Sequence, residues 1–301
     1  MRYNNLSSYY RKKYGKRLKK ICIDGGFTCP NRDGKCGFGG CIFCGERGAG
    51  EHIDPTVGIK EQVQSVISRA SKDELFIAYF QNFTNTYAPA SVLRERYDAA
   101  LIDQRIKLLD IGTRPDCITE EIAELIASYK DRCDVLVELG LQTASDKTAE
   151  LINRGYKRDA FEQAMEILKR HSIPVCVHLI IGLPGEGDRE LYETMEYLSR
   201  FSISGYKIHS IYVSRDTRLA EMYMAGEYAP PSEDEFIKRV AFAIAHIPKD
   251  AIIHRLTGDC PKGLLLAPRW GDDKHSIISK INTFLEEHNI SQGCEFNAFC
   301  K

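Results

Sequence analysis

Residues 27–44 read FTCPNRDGKCGFGGCIFC, from Phe27 to Cys44. Four of the chain's eleven cysteines fall inside these eighteen residues. Pro30, Gly34, Gly37, Gly39 and Gly40 extend neither a helix nor a strand, so the stretch is a loop. It follows a short apolar run, Ile21-Cys22-Ile23, that predicts a strand. A sulfur-rich loop thus leaves the end of a first strand, and thiolates crowded on such a loop usually hold a metal or a cluster. Ordinary reduced thiols are the plain alternative. A closed zinc tetrahedron of Cys29, Cys36, Cys41 and Cys44 is a second reading. An iron–sulfur cluster on three of the four, with one iron left open, is a third. The spacing C-x4-C-x2-C from Cys36, and the aromatic within Cys41-Ile42-Phe43-Cys44, lean toward iron.

Downstream, short apolar runs predict strands at Leu75–Phe80, Leu108–Thr113, Val135–Gln142, Val175–Ile181 and Tyr206–Val213. Helical periodicity separates them, for example Ile59, Val63, Val66, Ile67 and Ala70. Strands that are apolar throughout, spaced by helices, imply a parallel sheet covered on both faces. Six such units fit an α/β fold, a partial (β/α)6 TIM-like barrel, better than a complete eight-stranded one. Polar residues fall just after the strand ends, at Cys29–Cys44, Gln81–Thr86, Arg114, Gln142 and Glu186, which is the rim where such folds bind ligands.

The flanks read differently. Residues 1–20 carry Arg2, Arg11, Lys12, Lys13, Lys16, Arg17, Lys19 and Lys20, with no acid among them and Tyr3, Tyr9, Tyr10 and Tyr14 interleaved. This basic segment is either a surface strap or a nucleic-acid contact, with cations for phosphates and rings for stacking. Residues 21–215 form the barrel. Residues 216–301 form a C-terminal α/β extension, with Trp270 expected as a core anchor. Hydrophobic content of 43% and charged content of 28% are those of a globular protein, and a net charge of −1 provides no bulk basic field. No apolar run of membrane-spanning length occurs, and the polar, basic start does not resemble a signal peptide. The cytoplasm is the expected location, with no membrane partner.

Taken together, CPNRDG…GGCIFC, AYFQNFTNTYAP, TRPD, VELGLQT, INRG, GLPGE, KIH and HRLTGD resemble the radical S-adenosylmethionine superfamily. The resemblance covers nearly the whole chain. It is nearest the branch that holds the Elongator catalytic subunit and a compact bacterial family. It implies a 4Fe–4S cluster on Cys29, Cys41 and Cys44, with Cys36 a bystander. The open iron would take the methionine amine and carboxylate of S-adenosylmethionine, whose reductive cleavage makes a hydrogen-abstracting radical. Phe43 would pack beside the adenine, Gln142 would meet the ribose, and Arg154 would pair with the cofactor carboxylate. Gln81 to Asn85 stands in place of the glycine-rich segment that meets the methionine amine. His178 stands where some relatives carry an acid, Arg114 joins the cofactor end as a cation, and Glu138 is either a cofactor contact or a satisfied interior carboxylate. Tyr156 receives no role.

The same resemblance implies transfer RNA as substrate and an electron donor such as flavodoxin or ferredoxin. The compact bacterial family looks like an enzyme converting 5-carboxymethylaminomethyl-uridine to 5-aminomethyl-uridine at the wobble position. Lys207 and His209, on one face of a strand, and Arg255 are the candidate substrate cations. Oxidation of a small molecule, porphyrinogen-dehydrogenase-like, and a zinc-stabilised RNA-binding protein are the competing readings.

Overall fold

The computed structural model describes residues 2–48, 53–260 and 263–300. One parallel sheet runs in sequential order through β1 (Leu18–Asp24), β2 (Leu75–Gln81), β3 (Ile106–Thr113), β4 (Asp134–Gln142), β5 (Val175–Ile181) and β6 (Gly205–Ser210). After the two-residue β7 (Val213–Ser214), β8 (Ile252–Arg255) completes this sheet as a seventh strand, curling it into a half-barrel. Six strands were expected. The seventh pairs parallel with β6, Gly205 opposite Ile252 and Lys207 opposite Arg255. Its partner lies almost fifty residues back, outside any local pattern. β9 (Leu265–Ala267) pairs antiparallel with β7 in a separate ribbon.

Ten helices cover the described chain: α1 (Leu6–Tyr14), α2 (Ile59–Ile67), α3 (Ala90–Ala100), α4 (Glu120–Ala127), α5 (Asp146–Leu151), α6 (Arg158–Arg170), α7 (Asp188–Leu198), α8 (Arg218–Met224), α9 (Glu233–His246) and α10 (Lys274–Glu287). Each strand divides its side chains between two layers. Phe76, Ala78 and Phe80 of β2, Val135, Val137, Leu139 and Leu141 of β4, and Val175, Val177, Leu179 and Ile181 of β5 join the core beneath the helices. The alternate residues face the concave side.

The lower concave side is closed by α1. Its Tyr10 is buried against Ile77, Tyr79, Leu108, Leu136 and Cys176. Asn5 caps this helix, its Oδ1 accepting from Ser8 N at 2.9 Å. The basic segment is therefore partly structural, and β1 begins inside it at Leu18. Lys13, Lys16 and Lys19 pair with Asp134, Asp73 and Glu74. Arg11, Lys12 and Arg17 are exposed.

At the far side, α9 starts at a capping box in which Ser232 and Glu235 bond reciprocally. Its buried stripe, Phe236, Ile237, Val240, Ala241 and Ile244, packs toward α7 and α10. Burying such side chains stabilises by roughly 1.5–3 kcal/mol each. Trp270 stacks on Phe236 at 4.9 Å between ring centroids and donates Nε1–H to Pro231 O, as a core anchor would.

Candidate active site

The cysteine loop is braced by two asparagine–arginine pairs, one from CPNR and one from INRG. Asn31 is fully buried, donates to Asn153 O and lies 4.0 Å from Cys41 Sγ. Asn153, in left-handed conformation at φ 53°, donates Nδ2–H to Gly40 O at 2.7 Å and to Phe38 O at 3.2 Å. Gly155, at φ 79°, must lack a side chain, because a Cβ there would sit 2.7 Å from Asn31 Oδ1. Arg32 holds the loop's far end through Gly45 O at 2.6 Å and Glu46 O at 3.1 Å. Ile42 N bonds Ile152 O, and Leu219 N bonds Ile42 O, so the last cysteine pair is pinned to α5 and α8.

Cys41 and Cys44 share a hydrogen bond. It pulls the Cys41 thiol below its usual range; burial opposes this, and the charges of Arg114 and Arg154 assist it. Arg114 Nη1–H also points at Cys29 Sγ, 3.9 Å away. Arg114 and Arg154 thus put cationic charge beside Cys29 and Cys41, whereas the shared hydrogen bond and burial push the Cys44 thiol up. Cys36 is exposed, and its thiol instead donates to Asp116 at 3.8 Å. A zinc tetrahedron with Zn–S bonds near ~2.3 Å would bring four sulfurs within about 4 Å of one another. Among the described residues, the loop sulfurs do not gather so; three ligand atoms lie mutually within 4.8 Å at Glu138, Cys176 and His254, on strands away from the loop.

Around that loop, the other residues of the rim come together. Gln142 ends β4 in a left-handed conformation at φ 63°. Arg154 is 1% exposed and donates Nη1–H to Leu141 O at 2.6 Å and to Thr143 O at 2.7 Å; its Nη2 is buried without a hydrogen bond, 3.7 Å from Asp146. Arg114 forms a two-pronged pair with Asp116 at 2.9 and 2.7 Å and donates to Arg154 O at 2.8 Å. Tyr156 lies between the two guanidiniums, 4.7 Å from that of Arg114 and 4.3 Å from that of Arg154. Asn85 spends its amide donors on Gly112 O, Asn82 O and Phe80 O, leaving only a buried Oδ1 unpaired. Gln81 is half-buried at the end of β2, and Phe43 packs with Ile42, Leu183 and Leu219. Glu186, after β5, accepts from Thr143, and burial pushes its carboxyl up to about 7. Gly112 and Gly140 leave the concave faces of β3 and β4 without side chains just below this rim.

Glu138 lies four residues before Gln142, about 13 Å deeper at ~3.3 Å per residue. It is not at the rim. Its buried carboxylate is bonded by Lys207, by His178 Nε2 at 2.9 Å and, at longer range, by Lys20 at 3.8 Å and His254 at 3.9 Å. Burial alone would raise its pKa; the charges of Lys207 and Lys20 overcome that and hold it well below the usual carboxylate range. Asp110, 3.4 Å from Lys20, moves the other way, up to about 7, through burial and the neighbouring Glu138 charge. Two lysines and two carboxyls thus balance in one floor layer, and the Glu138–Cys176–His254 group has its charge met by ammonium groups. Lys207 is therefore no bare cation: its ammonium is buried, paired with Glu138 and 3.1 Å from Tyr79 OH. His209 lies against His178, ring centroids 5.2 Å apart, and its Nε2 is buried without a partner. Arg255 pairs with Asp259, which also meets Lys274. Lys20, Tyr79, Asp110, Cys176 and His254 were not anticipated; each is a single polar residue in a different strand.

Residues 32–198 match the family model described as the Radical SAM superfamily, and residues 203–287 match the Radical_SAM C-terminal domain. The chain belongs to the radical SAM superfamily. As a member it is an enzyme that uses a 4Fe–4S cluster and S-adenosylmethionine and needs a reductant. It is 36% identical to the uncharacterized protein YtqA of Bacillus subtilis (strain 168), over 97% of this chain and 92% of that one. It is 34% identical to protein YhcC of Escherichia coli (strain K12), covering 93% and 91%. It is 26% identical to the tRNA uridine(34) acetyltransferase of Methanocaldococcus jannaschii over 94% of this radical SAM chain, spanning 59% of that longer protein. The fold is shared with the archaeal Methanocaldococcus infernus Elp3 lacking residues 1–46, at TM-score 0.69 and 18% identity, covering 93% of this chain and 65% of that one. Among the described residues, no helix is long and apolar enough to cross a membrane.

Proposed function

We propose that this radical SAM enzyme acts on the wobble uridine of transfer RNA and converts 5-carboxymethylaminomethyl-uridine, or its 2-thio form, to 5-aminomethyl-uridine. The observation that supports the reading is a half-barrel with the cysteine loop at its rim and, within, a buried, unpartnered His209 Nε2 near the charge of Arg255. The 26% identity, over 94% of this chain, to an enzyme named for transfer-RNA uridine 34 supports the substrate class.

Cys29, Cys41 and Cys44 would hold the cluster, and Arg154 Nη2 and Gln142 would meet S-adenosylmethionine. Once bound and reduced, this pair supplies a radical able to remove a hydrogen atom. Burial and the nearby charge of Arg255 hold His209 well below the usual imidazole range, so it is neutral at physiological pH. Its unpartnered Nε2–H can then donate to the substrate carboxylate, with Arg255 adding charge. Lys207 keeps Glu138 ionised beneath them. The carboxylate so held sets the methylene between amine and carboxylate toward the rim. Nitrogen donates into a radical at that carbon while the carboxylate withdraws from it. Loss of one hydrogen atom, then of an electron to a one-electron acceptor and of the nitrogen proton, gives an imine. Water hydrolyses the imine to glyoxylate and the 5-aminomethyl group.

The test uses reduced enzyme, cofactor and modified transfer RNA carrying deuterium on that methylene. Deuterium should appear in 5′-deoxyadenosine together with glyoxylate. Turnover with no label in deoxyadenosine would move the reaction to another carbon or to a small molecule.

A further inference from the structure

We propose that Tyr156 is a positioning residue that locks the cofactor end of β4 to the cluster loop. It lies between Arg114 and Arg154, and nothing in the chemistry above requires it. Two like-charged guanidiniums are held against one half-buried phenol ring, at 4.7 and 4.3 Å. The π-face attracts each and offsets their mutual repulsion. The phenol hydroxyl donates to Gly140 O and lies 3.3 Å from Gln142 Oε1. Arg154 takes Leu141 O and Thr143 O. Three carbonyls around Gln142 thus accept bonds from residues 154 and 156, Leu141 O also accepting from Thr143 N.

That matters because Gln142 is left-handed at φ 63°, a conformation side-chain-bearing residues rarely keep unless their surroundings impose it. Released from Tyr156, Gln142 can return to extended backbone and turn its amide away. Arg114, against the same ring, is the group that points at Cys29 Sγ and holds Arg154 O. One ring therefore sets the guanidinium beside the cluster thiolate, the guanidinium beneath the cofactor carboxylate and the glutamine beside the ribose. Burial pushes the phenol up, against the opposing arginine charges, so the hydroxyl stays a donor throughout the working pH range.

The inference rests on the placement of S-adenosylmethionine at Gln142 and Arg154, and the experiment separates the two. Equilibrium dialysis of S-adenosylmethionine is run on anaerobically reconstituted enzyme with iron and sulfide quantified, alongside electron paramagnetic resonance of the reduced cluster with and without cofactor. Tyr156→Leu removes ring and hydroxyl and should weaken cofactor binding about tenfold. It should also blunt the spectral change on cofactor addition, with iron content unchanged. Tyr156→Phe keeps the ring and should bind with intermediate affinity. Arg154→Ala tests the underlying placement: unchanged affinity there removes the cofactor from this rim. Reduced affinity in Arg154→Ala with parental affinity and spectra in both Tyr156 variants overturns the positioning role. If Tyr156→Leu does not retain iron, Tyr156→Phe decides alone: weaker binding at full iron supports the role, and parental binding refutes it.

Discussion

Replacing Lys207 with methionine removes one ammonium from the floor of the half-barrel and keeps the length of the side chain. Glu138, with no exposed surface, then loses its nearest cation. Breaking a buried pair by deleting one partner typically costs about 3–5 kcal/mol. His178 stays at 2.9 Å and Lys20 at 3.8 Å, so the lower end, about 3 kcal/mol, applies. For a chain this long, each kcal/mol moves the melting temperature by roughly 2 °C, predicting a loss of about 6 °C. The sign with pH follows from Glu138's depressed pKa. Its ionised form stabilises above the ordinary value of 4.5, and that contribution is lost as pH falls through the lower folded value. The deficit should be complete at neutral pH and shrink only in strong acid. The paired change Lys207→Met with Glu138→Leu leaves no buried charge stranded between these two positions and should recover most of the lost stability. Thermal unfolding of reconstituted protein by circular dichroism at pH 7.5 measures this, with iron content as a control on the loop. A melting temperature within 1 °C of the parent for Lys207→Met would show that Glu138 does not depend on this ammonium, and the floor described here would be wrong.

Three further outcomes are expected. Cys36→Ala should keep four irons per chain and full activity, whereas Cys41→Ala should lose both, read by iron and sulfide analysis. Neutralising Arg11, Lys12 and Arg17 should weaken transfer-RNA binding and flatten its salt dependence by close to one unit of slope per lost phosphate contact, while Lys13→Ala, already paired with Asp134, should change it less. Asp110→Asn should be more stable than the parent at pH 8, because a carboxyl raised to about 7 favours folding below its ordinary 3.8 and loses that contribution as pH rises through 7. The difference should fade toward pH 4 in urea titrations; a pH-independent difference would refute the shift.

The parallel sheet was readable because its strands, covered on both sides, are mostly apolar, as in Phe76–Phe80 and Val135–Val137. The cysteine loop was readable from composition alone. α1 was not, since only Tyr10 of its nine residues is buried and its basic side chains resemble a solvated leader. The ionic floor was equally hidden: Lys20 and His254 lie at opposite ends of the chain, and a lone Lys, Asp or His in a strand has no local signature. Tyr156 could have been found from its place beside INRG, had the arginines flanking it in space been known.

The two ends of the chain meet beside β8. Ile253 N bonds Asn4 O, Asn4 N bonds Gln292 Oε1, and Gln292 N bonds Arg2 O. Synthesis therefore delivers the first residues about 250 positions before their partners. The stretch from Arg2 to Asn4 cannot make these bonds until β8 and residue 292 have left the ribosome, whereas α1 finds partners on β2 to β5 earlier, so this seam is late to close. Nascent chains stalled before residue 252 should accordingly leave residues 2–5 open to protease while strands β2 to β5 are already protected.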